Sequence, residues 1–597
     1  MFIQRPFSRA SKASKTDTDK KGRACLCLSK WYMTMVFNSR KIKSALCLLA
    51  VIAVLLTSCG KGGKKDNTLR IAAGEITGNF NPFYAVSEGD KAVNSQVFRT
   101  IQRTGKNNKL INSVGSISYE YSGDSKTKYT VTIRDDLKFS DGRGVTIDDV
   151  IFFYYFCADA SYDGVYSDFY LNDIEGIKEY YYDDTAWKSK LAEFEDKADK
   201  EKQIKKYIEK NYKDGADVTE IKGIRRVDDY TCTVTFNSRN INAVSALNAV
   251  IVSKAFYTAE YVKGSASVIK NFTTMSMGCG PYFVSNYNAD SHKTELKYNT
   301  GYSGDTPDFT RLEYIDISGS KTDATDYILK GKADIIETTA SAAAVNKLNG
   351  SSAKYFITND NSYTSLFINT RTVENDAVRK QLMKACSDYT YLDKTYGSYY
   401  TKVYMPLSVR FEEYPAASNP YYSGDTISAL LTKEVSKINI YCISGEYSEE
   451  KILADNMAEK LNSLGIKAKV VLSDYAKLTK DAAAGKADMW ILNVPDGATC
   501  DKYDYYHSGG RFNLTGLSDA AIDTLTERIR SSTGFTEKKG MTVGLLNAIM
   551  EKAIEMPVYQ KQIITAYSTE TISPGSIDSV SDYDGYAYAI TELKAAE

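Results

Sequence analysis

The chain has 597 residues, its 75 Lys and Arg are balanced by 75 Asp and Glu, and 43% of its residues are apolar. The neutral balance gives no basic footprint for nucleic acid, the apolar share is ordinary for a globular protein, and the length allows about two to four domains. His292 and His507 are the only histidines, which leaves little room for a histidine-based catalytic pair or an imidazole metal site.

Arg40, Lys41 and Lys43 precede an apolar run over 45–56, which leads through Thr57 and Ser58 to Cys59 and Gly60. A cationic start, an apolar core and small residues before a cut mark a secretory signal. The core is about 12 residues, short of the roughly 20 a spanning helix needs. The cysteine at the cut resembles that of a bacterial lipobox. Cys59 is therefore expected to be lipidated and to begin the mature chain, placing everything after it outside the cytoplasm on a membrane face. Met33 or Met35 is the more natural start, and 1–58 are set aside as an N-terminal extension and signal peptide. Residues 59–68, with Gly62 and Gly63, read as a tether. No second long apolar run follows.

Residues 69–73 read as a strand, and 74–84 as a loop containing Asn81 and Pro82. The alternation over 129–134 predicts a half-buried strand. Thr146 and Asp149 fit a capping box, with Val150, Tyr154 and Cys157 lining one face of the helix that follows. The charged stretch 183–213 reads as a surface helix. Residues 227–236 read as a hairpin turning at Asp228 and Asp229, with Tyr230, Cys232, Val234 and Phe236 on one face. Farther on, strand and helix alternate: strand 313–317, helix 323–330, strand 333–336; then strand 437–443, helix 449–464, strand 466–472, helix 475–484, strand 488–494. Units of this size imply a parallel sheet. Gly331-Lys332-Ala333-Asp334 and Gly485-Lys486-Ala487-Asp488 recur at the same helix-to-strand junction, where glycine tolerates a positive φ. The six cysteines beyond Cys59 show no metal spacing and read as buried thiols, with a disulfide left open. Tyrosine, at 46 residues, is over-used, which suits a wet surface that holds ligands or an organism-wide bias.

Several strings, in order, resemble the solute-binding proteins of ABC importers, family 5, the oligopeptide, dipeptide and nickel binders. Asn79-Phe80-Asn81-Pro82 is similar to the family's early L-x-P loop. Residues 131–142 are similar to its F-x-L-R-x-x-x-x-F-x-D-G. Gly278-Cys279-Gly280-Pro281-Tyr282 is similar to its G-T-G-P-Y, with Cys279 in place of threonine. Residues 299–302 resemble N-P-N-Y-W, 331–336 resemble G-E-x-D, and 375–382 resemble D-x-x-V-R-x-A-L. Residues 490–496 resemble W-x-x-D-x-x-D-P, and Met556-Pro557-Val558-Tyr559 resembles I-P-L-Y. The resemblance implies an α/β, two-lobed periplasmic-binding-protein fold (type II) with a hinge and an inserted domain. Lobe I would comprise 69–96, 220–365 and 560–597, the insert 97–219, and the other lobe 366–559. The chain would cross between lobes near 363–370 and 557–562.

The implied activity is capture of a peptide-like solute in the cleft and delivery to a membrane permease, without catalysis or cofactor, by a monomer. The family commonly holds a peptide's ammonium with an Asp three residues after the cleft tryptophan. That tryptophan is Trp490, and Asn493 stands at the Asp position. An amide can hydrogen-bond an amine but not pair with it ionically. Asp496 could compensate, or be a turn residue before Gly497. Trp490 is either core or a stacking platform, and Tyr84 and Tyr363 fall near the expected cleft. The departure at Asn493 leaves an oligosaccharide or a modified peptide open as cargo. Nickel is disfavoured by the scarcity of histidine, of which His507 is the better placed. An anchored hydrolase finds no G-x-S-x-G elbow and no H-E-x-x-H.

Overall fold

The computed structural model describes residues 67–597 apart from 106–108, 122–124, 182–205, 207–217, 259–260, 388–389, 417–419, 423–426, 444–447, 496, 498 and 580–584. The signal segment, Cys59, nearly all of the charged stretch 183–213 and Asp496 lie outside the described residues. Among the described residues, no helix is long and apolar enough to cross a membrane.

An eleven-stranded mixed sheet runs through the structure. In spatial order its strands are Lys467–Leu472, Lys437–Cys442, Met489–Pro495, Lys354–Ile368, Glu555–Tyr567, Ile335–Thr339, Asn67–Ala73, Phe309–Asp316, Lys293–Tyr298 and Tyr282–Asn288, with Tyr400–Lys402 beside Glu555–Tyr567. The expected parallel pairing is present where strand–helix–strand units supply it: Lys437–Cys442 is parallel to both neighbours, and Asn67–Ala73 to both of its own. The centre is antiparallel instead, because Lys354–Ile368 and Glu555–Tyr567 are long strands whose pairing is not set by crossover helices. Residues 354–359 pair with 562–567, and 363–367 pair with both 555–560 and 490–494. These two strands thus belong to both halves of the sheet. One large core gathers around Leu69, Phe83, Phe156 and Tyr282, and another around Leu366, Ile440, Leu453 and Met556. A separate four-stranded sheet is ordered Gly115–Tyr121, Thr127–Ile133, Thr231–Phe236, Ile224–Arg226.

Local signals translate directly. Asp149 Oδ2 accepts from Thr146 N at 2.9 Å to close the capping box, and Val150, Tyr154 and Cys157 are buried behind it. The hairpin begins earlier than expected: its first strand is Ile224–Arg226, and Val227 sits 59% exposed in the turn. Val227 therefore carries no packing role that its apolar side chain would suggest.

The repeated Gly-Lys-Ala-Asp string makes the same junction twice. Gly331 and Gly485 have φ of +63° and +66°. The two amides after each glycine donate to one carbonyl four residues before it, Tyr327 O and Asp481 O. The aspartate then joins two parallel strands: Asp334 Oδ2 accepts from Arg70 N, and Asp488 Oδ2 from Asn439 N, each at 2.8 Å. A β-branched residue at either glycine would strain the turn.

Other family strings are packing devices. A Cβ at Gly278 or Gly280 would lie 2.1 Å from Val97 O or 2.3 Å from Gln96 O. Both glycines are needed for the close approach of that loop to the end of helix Glu88–Val97. The Asn299 amide then donates to Gly280 O at 2.9 Å. All six described cysteines are buried free thiols.

Candidate functional site

The strand Met489–Pro495 carries Trp490 and Asn493 to the edge of a cavity of about 250 Å³. Its wall is apolar, built from Phe367, Trp490, Leu492, Val494, Tyr505 and Phe512, with Asn493 and Thr515 as polar members. Trp490 is 1% exposed and stacks on Phe367, with centroids 6.1 Å apart and planes 12° apart. The two face each other because Phe367 and Trp490 are direct partners in the antiparallel register. Trp490 is thus a core residue that also forms a cavity wall. Asn493 is exposed at the mouth.

Tyr363, partnered with Val494 in the same ladder, is 1% exposed and packs in one cluster with Phe367 and Trp490. Its hydroxyl accepts from Lys502 Nζ at 3.3 Å. Tyr84 lies elsewhere: it belongs to the other core, against Tyr162 with centroids 5.4 Å apart. Burial pushes its phenol well up. The structure therefore brings Trp490, Asn493 and Tyr363 together and leaves Tyr84 apart. His507 is held by its own segment, stacked on Tyr503 at 4.0 Å, with Nδ1 accepting from Gly509 N and Nε2 3.3 Å from Glu527. His292 is exposed in a turn with φ +54°. Among the described residues, no group of three or more His, Cys, Asp and Glu is placed to hold a metal ion.

A charged network beside the cavity escaped the sequence reading. Lys502 is 4% exposed, its Nζ 5.3 Å and 5.6 Å from the ring centroids of Tyr363 and Tyr505. Glu555 is fully buried; its carboxylate accepts from Ser365 Oγ at 2.6 Å and from the Tyr506 hydroxyl. Burial raises the Glu555 pKa, and the hydrogen bonds and Lys502 offset that only in part. A folded-state pKa above the unfolded value of about 4.3 means that this group's contribution is complete below that pH and is lost as pH rises through the folded value. The stability of Glu555→Gln relative to the native chain is therefore expected to improve as pH rises from the unfolded value of about 4.3 through the raised folded value. Urea midpoints across that range read the effect, and a pH-independent difference would contradict it. The one sequence signal for this network is the tyrosine run Tyr503, Tyr505, Tyr506.

A second cavity, of about 380 Å³, lies between helix Glu88–Val97 and the segment carrying Val165 and Tyr166; Lys91, Asn94 and Arg99 contribute polar groups. Arg511, next to Phe512 of the first cavity, reaches Asp168 at 3.5 Å, two residues from Tyr166. Arg511 also pairs with Asp504 at 2.6 Å. Farther along, Asn242 Nδ2 donates to Asp501 Oδ2 at 2.5 Å, and Arg530 Nε donates to the same oxygen at 2.8 Å. The two halves of the sheet are thus linked by side chains as well as by the two shared strands.

Two packed halves joined through two continuous strands, with cavities on either side of an ion pair, are the architecture of a two-lobed α/β solute-binding protein. The profile of the bacterial extracellular solute-binding proteins, family 5 (middle region), matches residues 117–513, and the chain belongs to that family. It is a non-catalytic solute-binding protein of that family. No curated protein matches the chain by sequence. Solved structures that share its fold include three with bound ligands. The oligopeptide-binding protein AppA of Bacillus subtilis, in complex with a nonapeptide, is 16% identical with a TM-score of 0.65, covering 89% of this chain and 99% of its own. Lactococcal OppA, closed on an endogenous peptide, is 15% identical with a TM-score of 0.67, covering 88% and 100%. NikZ of Campylobacter jejuni, in complex with Ni(L-His), is 17% identical with a TM-score of 0.61, covering 89% and 100%.

Proposed function

We propose that this chain is the lipid-anchored receptor of an ABC importer and captures a peptide-like solute between its two halves for delivery to a membrane permease. The observation that carries this reading is the apolar cavity of Phe367, Trp490, Leu492 and Phe512 with the neutral Asn493 at its mouth. An apolar or aromatic side chain fills such a wall, and the amide hydrogen-bonds a backbone or amine group beside it. Similar proteins bind a nonapeptide, an endogenous peptide and Ni(L-His). The absence of a carboxylate at position 493 favours ligands whose recognised end does not require ion pairing.

In this reading 69–96, 237–365 and 560–597 form one lobe and 366–559 the other; the inserted domain runs over 97–236 rather than 97–219, because strands Ile224–Arg226 and Thr231–Phe236 complete its four-stranded sheet. A ligand touching both lobes favours the closed arrangement because only there are its contacts complete. Lipidation at Cys59, with 59–66 as tether because Asn67 and Thr68 already pair in the sheet, holds the receptor at the membrane.

A thermal-shift panel of short peptides, oligosaccharides and nickel tests the cargo. A true ligand at about a hundred times its dissociation constant adds roughly 2.7 kcal/mol of stability. Peptides are expected to shift the native protein. Phe512→Asp, at a 41% exposed position, is expected to weaken them at least about tenfold without unfolding the chain. A sugar or nickel shifting the protein where peptides do not would replace this assignment.

A further inference from the structure

We propose that the cavity between the tyrosine row of strand Gly115–Tyr121 and the turn at 532–535 is a saccharide-binding site. It measures about 240 Å³ and shares no lining residue with the two cavities described above.

Strand alternation puts Tyr119 and Tyr121 on one face, and Tyr119 is the direct cross-strand partner of Tyr129. Their rings form a graded row. Phe236 is fully buried and Tyr129 is 3% exposed, whereas Tyr119 and Tyr121 are 47% and 39% exposed. Successive centroids lie 5.1, 5.8 and 5.1 Å apart. Neighbouring aromatics left open at a cavity mark a binding surface. Across from them, Asn240, Ser532, Thr533 and Lys538 supply polar groups among the apolar Ile241, Val244 and Phe535.

One side of this cavity offers aromatic faces and the other offers hydrogen-bond donors and acceptors. A pyranose ring matches both, with its C–H face on the tyrosines and its hydroxyls toward those polar groups. A cationic ligand fits poorly, because Arg239 already lies 4.2 Å over the Tyr121 ring and Lys538 lines the cavity. An anion gains little, because Lys538 is paired with Glu413 at 2.7 Å. The site therefore suits a neutral sugar, and the assignment does not depend on the cargo of the cavity at Trp490.

Saturation-transfer NMR on the purified protein with chitotriose, maltotriose and, as a control, trialanine tests this. At least one trisaccharide is expected to bind, with Tyr119→Ala and Tyr121→Ala each weakening it at least about tenfold. Phe512→Asp is expected to leave that binding unchanged. Both tyrosines are exposed enough for the alanine variants to fold, which urea midpoints within about 0.5 kcal/mol of native would verify. No trisaccharide transfer up to roughly 20 mM overturns the proposal. So does sugar binding that survives both tyrosine variants, sugar binding lost in Phe512→Asp, or displacement of the sugar by trialanine.

Discussion

Replacing Arg379 by alanine is expected to lower the unfolding free energy by about 3–5 kcal/mol. The guanidinium is 2% exposed and acts as a clasp. Nη1 donates to Val373 O and Glu374 O at 2.8 and 2.7 Å, and Nε to Lys552 O at 2.9 Å. Nη2 reaches the Asp376 carboxylate. It thereby ties the turn before helix Asp376–Ala385 to the last turn of helix Phe535–Lys552. Removal leaves three carbonyls without this donor in a closed site, which is why the effect exceeds that of a surface ion pair. Arg379→Lys should recover less than half, because one ammonium cannot match a planar fork aimed at several acceptors. Urea unfolding at constant slope reads the loss; a change under about 1 kcal/mol would show that the clasp is idle.

Trp490→Ala is expected to lose about 3–5 kcal/mol as well, through the buried indole and the void left beside Phe367. Here a second consequence separates cavity wall from plain core. The void joins the existing space of about 250 Å³, so ligand capture should weaken even at temperatures where the variant is fully folded. Trp490→Phe keeps the stacking partner for Phe367 and should lose less on both measures. Circular dichroism melts with calorimetric titration of the best peptide distinguish the two effects. Full ligand affinity in a folded Trp490→Ala would place the cargo elsewhere.

The sequence carried much of the local structure. The capping box at Thr146, the helix stops at Gly331, Gly465 and Gly485, all with positive φ, and the alternating strands depend on contacts within a few residues. The family order was legible for a related reason. Several of its strings are the junctions themselves: Gly280 against the end of a helix, Arg379 across two helices, and Asp334 splicing parallel strands. The hairpin starts earlier than its apolar pattern suggests, because Val227 looks like a strand residue while Asp228 and Asp229 fix the turn around it.

The candidate site was legible only in part. Trp490, Asn493 and Tyr363 meet because one antiparallel ladder sets their register; Trp490 and Asn493 stand in a recognisable string, and Tyr363 only near the expected crossing between lobes. Tyr84 was grouped with them by its place in the chain, yet it packs in a different core. Lys502 and Glu555 gave no periodic signal, since one lies beside an irregular tyrosine-rich turn and the other opens a long strand.

The sequence by itself determined the strands, helices, caps and stops, the balance of charge and the family, because each rests on short-range geometry or on strings kept in order. Tertiary structure alone decided which distant residues share a wall: Phe367 with Trp490 and Phe512, Ser365 with Glu555, Tyr121 with the turn at 532–535. The physical reason is that strand register and helix docking act between segments separated by more than a hundred residues. A shift of one residue in either would send the same side chains to opposite faces.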